Sequence, residues 1–257
     1  MRVELLPSSF TSDRRAGSAQ FLSSYVVGDS IAIDAGSIGL LDDVERQRRI
    51  RHVFLTHGHL DHVASLPLLL ENVFEPGRPG VEVIAENAVL QQVRRDLFNG
   101  NIWPDFFELS TSAGEFARAT PIERLETVER AGCRVTSVPV SHSCPTNGFV
   151  VDDGSACVAF AADTGPTDLL WRHLAERDRL RAVFLECSFP ASLADLATRC
   201  GHLSTKTFAH ERARLPADVR TIVVHRKPAH AERIAAELTG LGLPNVALVE
   251  PGLAYDF

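Results

Sequence analysis

The 257 residues carry 26 basic and 33 acidic side chains, a net charge of −7, which disfavours a nucleic-acid binder built on a broad basic surface but leaves room for a small anionic ligand. Five scattered cysteines (Cys133, Cys144, Cys157, Cys187 and Cys200) form no CxxC pair, which suits reduced thiols in the cytoplasm better than a disulfide framework or a structural zinc site. No apolar run approaches the roughly 18 residues of a membrane span, and the first seven residues, with Glu4 among them, do not read as a signal peptide, so the expectation is a cytoplasmic α/β protein with one domain over residues 1–257.

In chain order, residues 3–6 read as a strand and 7–17 as a Ser-, Thr- and Arg-rich loop. Residues 21–27 and 31–33 read as a hairpin turning at Gly28-Asp29, closed by Asp34-Ala35-Gly36. A helix is predicted over 40–49, its charges forming a solvated face. Val53-Phe54-Leu55 reads as a short buried strand, and Thr56-His57-Gly58-His59-Leu60-Asp61-His62 follows it directly. A leucine-rich helix is expected over 60–72, with Pro67 a kink or break. Four metal-competent side chains thus sit where a strand ends and a helix begins, where open α/β sheets place their sites. In extended backbone His57 and His59 point the same way and can reach one ion. Asp61 and His62 lie past the turn and can face a second. Neutral imidazole and carboxylate suit zinc, manganese or iron. A solvated loop would rarely concentrate three histidines and an aspartate after a buried strand.

Strand 81–85 and helix 86–98 come next. Asn101, Trp103 and Phe106 then lie in a Gly/Pro-broken segment that is either a packing cap or an aromatic wall for a stacked base. Residues 108–132 are polar with weak periodicity and read as a helix or irregular insertion. Strand 134–140 ends at His142, and hairpin 149–151/156–161 ends at Asp163, which could also cap a helix at 166–176. Strand 181–185 precedes Glu186-Cys187-Ser188-Phe189, and Gly201-His202-Leu203-Ser204 precedes helix 205–214. Strand 219–224 ends in His225-Arg226-Lys227, whose two cations either meet a phosphate or face water. Helix 229–239 and strand 246–249 finish the chain. His52, His173, His210 and His230 lack such settings and read as structural or surface residues.

The pattern His57-x-His59-x-Asp61-His62 resembles the metal-binding signature of the metallo-β-lactamase superfamily. The longer run to Asn72, the Trp103-Pro104 segment, the Glu186-x-Ser188-Phe189 strand end and Gly201-His202-Leu203-Ser204 look more narrowly like the class II 3′,5′-cyclic-nucleotide phosphodiesterases. Ala64 departs mildly from a Gly/Ser position of that pattern. The resemblance covers almost the whole chain and implies a four-layer αββα sandwich, which the twice-repeated order of strands, then alternating helix and strand, also suits. It implies two divalent ions, zinc first, with manganese or iron as alternatives. His57, His59 and His142 would hold one, Asp61, His62 and His225 the other, and Asp163 would bridge them. Asp34 would support the site from behind. The implied reaction is hydrolysis of a phosphodiester, a 3′,5′-cyclic nucleotide opened to the 5′-monophosphate by hydroxide generated at the two ions, with catalytic work for Asp61 and a proton from His202. His202 could instead be a structural histidine at a helix start. The implied partner is a small anionic nucleotide, with no membrane, no extended nucleic-acid surface, and room for a homodimer. An RNA-processing nuclease, a thioesterase or lactonase would use the same ligands, and so would a nucleotide-binding module without turnover.

Overall fold

A computed structural model describes residues 1–8, 20–111 and 114–257. Residues 9–17 of the loop expected at 7–17 lie outside the described residues. Two facing sheets form the centre. The first joins β1 (Arg2–Leu5), β2 (Tyr25–Val27), β3 (Ile31–Ile33), β4 (His52–Phe54), β5 (Val81–Ala85) and β6 (Ala117–Pro121), with β14 (Ala254–Asp256) outside β1. The second runs from β7 (Thr127–Arg130) through β8 (Cys133–Pro139), β9 (Asn147–Asp152), β10 (Cys157–Phe160), β11 (Leu180–Glu186) and β12 (Arg220–Val224) to β13 (Val246–Leu248). Each sheet opens with antiparallel strands and continues with parallel ones: β3 to β6 in the first, β10 to β13 in the second.

Helices α1 (Val44–Arg49), α2 (Leu60–Val63), α3 (Leu66–Asn72) and α4 (Asn87–Asp96) accompany the first sheet. Helices α5 (Leu169–Ala175), α6 (Ala194–Cys200), α7 (Thr205–Arg212) and α8 (Ala231–Leu241) accompany the second. Three apolar clusters fill the interfaces between layers. Leu66, Leu69, Leu70, Val89 and Val93 pack with Val53 and Val83 on the outer face of the first sheet. Ile33, Phe54 and Ile84 meet Phe149, Phe160, Phe184 and Ile222 between the sheets. Leu170, Phe208, Ile234 and Leu238 cover Val183, Leu185 and Val223 outside the second. The central strands are therefore covered on both sides, which is why β3, β5, β10 and β12 read as near-continuous apolar runs rather than alternating ones. This is the αββα sandwich expected from the sequence.

Two polar devices tie the layers. Glu82 on β5 accepts from both ends of the Arg130 guanidinium on β7, at 2.7 and 2.8 Å, and touches His52 Nδ1 at 2.8 Å and Thr120 Oγ1 at 2.9 Å. It joins the two sheets at their β6/β7 edge, and His52 is a structural residue. Arg212, almost fully buried, donates to the carbonyls of Leu215, Pro216, Ala217, Val219 and Pro244 at 3.1–3.2 Å. It holds the chain leaving α7 against the turn before β13.

The structure corrects several expectations. Residues 108–132 hold β6 and β7, not a helix or an irregular insertion. Both are edge strands; β6 exposes Arg118, Ala119 and Pro121 and β7 exposes Thr127 and Glu129, so neither shows a clean apolar alternation. The helix expected at 60–72 breaks at Ala64-Ser65, and Pro67 sits in the first turn of α3, where its missing N–H costs nothing. Helix α5 starts at Leu169, six residues past Asp163, and Asp168 stands at its N-cap position. Asp163 is therefore no helix cap. Strand β14 and helix α6 were not anticipated.

Candidate metal centre

The site lies where β3, β4, β10, β11 and β12 end. Three of these exits turn through a non-glycine residue in the left-handed region: Asp34 (φ 60°), Ala162 (φ 58°) and His225 (φ 53°). Such residues cost on the order of 1 kcal/mol or more each and cluster at functional sites. The α2 turn is anchored through its backbone: Ser23 N–H donates to Asp61 O at 2.8 Å and Ala35 N–H to His62 O at 2.7 Å. Gly36 makes this approach possible, since a Cβ there would stand 2.1 Å from Asp61 O and 2.6 Å from Ser23 N.

The folding brings all seven sequence-derived candidates together. One group holds His57, His59, His142 and Asp163, and a second holds Asp61, His62, Asp163 and His225; in each, one ligand atom per residue lies within 4.8 Å of the others. His59 Nδ1 and His142 Nε2 are 3.3 Å apart. His225 Nε2 stands 3.0 Å from Asp61 Oδ2 and 3.3 Å from Asp163 Oδ2, and His62 Nε2 is 3.4 Å from Asp163 Oδ1. Asp163 belongs to both groups, so its carboxylate lies between them.

The donor set fits divalent cations. His57 Nε2 and His62 Nε2 are buried and have no hydrogen-bond partner among the described residues, a state that buried polar atoms rarely tolerate. Meanwhile the far nitrogens of the imidazoles are held. His62 Nδ1 meets Asp34 Oδ2 at 2.7 Å, His57 Nδ1 meets Thr56 Oγ1 at 2.9 Å, and His142 Nδ1 meets Gly201 O at 2.8 Å. His59 Nε2 lies 3.6 Å from Cys144 Sγ. Partners behind the ring that leave the inward nitrogen bare are the usual support of histidine ligands. Burial pushes the His57 imidazole well below its ordinary range, so it stays neutral, as a ligand must. Burial alone would raise the Asp163 carboxyl, but the charges of His225 and His62 hold it well below the usual range and therefore ionised. Burial would lower His62, yet Asp163 and Asp34 together push it well above its ordinary value. That is the field of an anionic cradle suited to a cation.

Beside the second group stands His202, whose Nδ1 lies 2.6 Å from Glu186 Oε1. Burial pulls this imidazole down, but the hydrogen bond and charge of Glu186 outweigh it and raise its pKa. Glu186 ends β11 fully buried and also accepts from Thr164 N, Ser188 N, Ser188 Oγ and Leu203 N. With its lone pairs so occupied, Glu186 supports His202 and is a poor metal ligand, although Glu186, His202 and His225 also lie within coordinating distance of one another. The sequence reading used Glu186 only for resemblance. Thr56, Ser188 and Cys144 were missed as supports; a small polar residue next to a candidate ligand is their only sequence signal.

The aromatic segment divides. Phe106 is 5% exposed and stacks on Phe116 at 4.2 Å within the α4-side core. Its side chain packs in the core, which favours the packing-cap alternative for this residue. Trp103 packs half-buried against the same cluster, and Asn101 is exposed.

The sequence profile described as "Beta-lactamase superfamily domain" matches residues 39–225. A "Probable 3′,5′-cyclic-nucleotide phosphodiesterase" of Yersinia pestis is 26% identical over 165 residues, 58% of this chain and 46% of that protein. A ribonuclease Z of Pseudomonas putida is 35% identical over 104 residues, 40% of this chain and 30% of that protein. The chain spans about half the length of the phosphodiesterase relatives it matches. Among solved structures, unliganded yeast PDE1 aligns with a TM-score of 0.76 at 15% identity, covering 98% of each chain. The metallo-beta-lactamase fold protein YhfI from Bacillus subtilis aligns at 0.74 with 17% identity over 99% of each chain. Likeness at this identity speaks for the fold.

Proposed function

The chain belongs to the beta-lactamase superfamily and has the metallo-β-lactamase fold, and from this premise we propose that it is a metal-dependent phosphodiesterase that opens a 3′,5′-cyclic nucleotide to the nucleoside 5′-monophosphate. The observation that carries this reading is the pair of four-residue groups sharing Asp163, with two orphaned imidazole nitrogens aimed inward. His57, His59 and His142 would hold one ion and Asp61, His62 and His225 the other, with Asp163 common to both. When bound, such a pair supplies Lewis-acid charge at a phosphoryl group and makes water a nucleophile near neutral pH.

The chain's own residues do the rest. The Nδ1–H of His202 donates to Glu186, which fixes the tautomer and leaves Nε2 to carry the transferable proton. The raised pKa keeps that proton available for the departing ribose oxygen. Lys227 is near enough for its charge to oppose protonation of His202, and a cation there favours an anionic substrate. Asp61 lies at the rim of the second group, partly open to solvent, bonded to His225. Its carboxyl is held down by the His225 hydrogen bond and the His62 and His225 charges against the opposing effect of burial, so it can orient a water as well as an ion.

A second reading, cleavage at RNA ends, is favoured by the ribonuclease Z likeness over 104 residues. The net charge of −7 argues against a long RNA footprint. The test is hydrolysis of cyclic AMP, bis(p-nitrophenyl) phosphate and a tRNA precursor in parallel after reloading with zinc or manganese. Turnover of cyclic AMP and the aryl diester is expected. Cleavage confined to the RNA would move the assignment to the second reading.

A further inference from the structure

The two buried carboxylates behind the site are wired alike. On the first sheet, Asp34 Oδ2 meets His62 Nδ1 at 2.7 Å and reaches His57 Nδ1 through the Thr56 hydroxyl, which lies 2.9 Å from Asp34 Oδ2 and 2.9 Å from His57 Nδ1. On the second, Glu186 Oε1 meets His202 Nδ1 at 2.6 Å and reaches His225 Nδ1 through the Ser188 hydroxyl, 2.7 Å from Glu186 Oε2 and 3.1 Å from His225 Nδ1. In each half a strand-end carboxylate holds one imidazole directly and a second through a hydroxyl.

The protons on the Ser188 branch can be assigned. The hydroxyl has one proton, and the atoms in reach that can accept it are Glu186 Oε2 at 2.7 Å, His225 O at 3.0 Å and, in one tautomer, His225 Nδ1 at 3.1 Å. The shorter bond to the charged oxygen takes it. His225 Nδ1 is then the donor to Oγ, which commits Nδ1 to its proton and directs Nε2, 3.0 Å from Asp61 Oδ2 and 3.3 Å from Asp163 Oδ2, toward the place of the ion. Ser188 is fully buried, so no solvent can replace the hydroxyl. The His225 backbone is itself in the left-handed region.

We propose that Ser188 is a positioning residue: through one hydroxyl it fixes the tautomer of His225 and ties that ligand to the carboxylate that also holds His202. Retention of the ion at Asp61, His62 and His225 and presentation of the proton donor thereby share one support. This rests on the two-ion reading of the site. Ser188→Ala removes only the oxygen, since the backbone bonds of Ser188 N to Leu203 O and to Glu186 do not involve the side chain.

The experiment titrates Zn²⁺ against a chromophoric chelator in the wild-type chain, Ser188→Ala and Ser188→Thr, with thermal melting of each zinc-free protein. Ser188→Ala is expected to stay folded, melting a few degrees below the wild type, and to bind one ion normally, with the second weakened about 10–100-fold. Ser188→Thr restores it, because threonine does the equivalent task at position 56. Should the added methyl not fit, the ¹⁵N shifts of His225 in the zinc-free protein decide: Nδ1 is fully protonated in the wild type and only partly so in Ser188→Ala. Two wild-type affinities in Ser188→Ala, or an unchanged His225 tautomer, would overturn the proposal. The titration uses no substrate, so a wild type that binds two ions yet cleaves no phosphodiester would refute the assigned reaction and leave Ser188's role standing.

Discussion

Replacing His202 by alanine separates proton donation from metal binding. His202 makes one strong bond, to Glu186 at 2.6 Å, and Glu186 keeps four other donors when it is lost. A hydrogen bond to a charged group is worth about 1.5–3 kcal/mol, set against a domain stability of about 5–15 kcal/mol, so the variant folds. None of the seven candidate ligands is replaced, and both ions are expected to be retained. General-acid catalysis contributes about 10²–10⁴-fold, so cyclic AMP turnover falls by that factor. A p-nitrophenolate leaving group departs without protonation, and turnover of bis(p-nitrophenyl) phosphate falls far less. Steady-state rates on both substrates, with zinc content measured by atomic emission, check this. Equal losses on the two substrates, or full cyclic AMP turnover in the variant, would refute the donor role.

Gly36→Ala drives a Cβ into the Asp61 carbonyl and Ser23 N, so α2 shifts; zinc analysis after dialysis should find no more than one ion per chain. Glu82 is held down to a pKa of about 2 by the Arg130 hydrogen bonds and then by His52 and Thr120, against burial. A depressed carboxyl stabilises the fold above its unfolded pKa of about 4.3 and loses that contribution as pH falls toward 2. Melting temperature should therefore drop over that window in the wild type and less steeply in Glu82→Gln, and parallel curves would contradict the assignment. Arg212→Leu removes the donor to five carbonyls, those of the buried Leu215 and Val219 among them, and should cost about 3 kcal/mol, roughly 6–12 °C in melting temperature for a chain of this size.

What the sequence made legible follows from how few side chains metal chemistry accepts. Histidines and aspartates at the ends of apolar strands stand out, and His57, His59, Asp61, His62, His142, Asp163 and His225 could be picked out in chain order as candidates that the fold then brings together. The doubly covered strands announced themselves as apolar runs. Edge strands did not: β6 and β7 present polar residues to solvent, and β14 is three residues long. Phe106 read equally as packing cap and pocket wall because burial and stacking both favour aromatics, and the packing on Phe116 favours the first. The hydroxyls of Thr56 and Ser188 were hidden because serine and threonine are common everywhere; their meaning lies in which imidazole they face.

The most direct measurement is phosphorus NMR of cyclic AMP incubated with the zinc-reloaded chain and with Asp163→Ala. The wild type, with two ions bound, should convert the cyclic diester to 5′-AMP, and Asp163→Ala, which removes the carboxylate common to both groups, should lose zinc and leave the diester intact. An unchanged cyclic AMP signal from a wild type carrying two ions, or full turnover by Asp163→Ala, would contradict the assignment of this site as a two-metal phosphodiesterase.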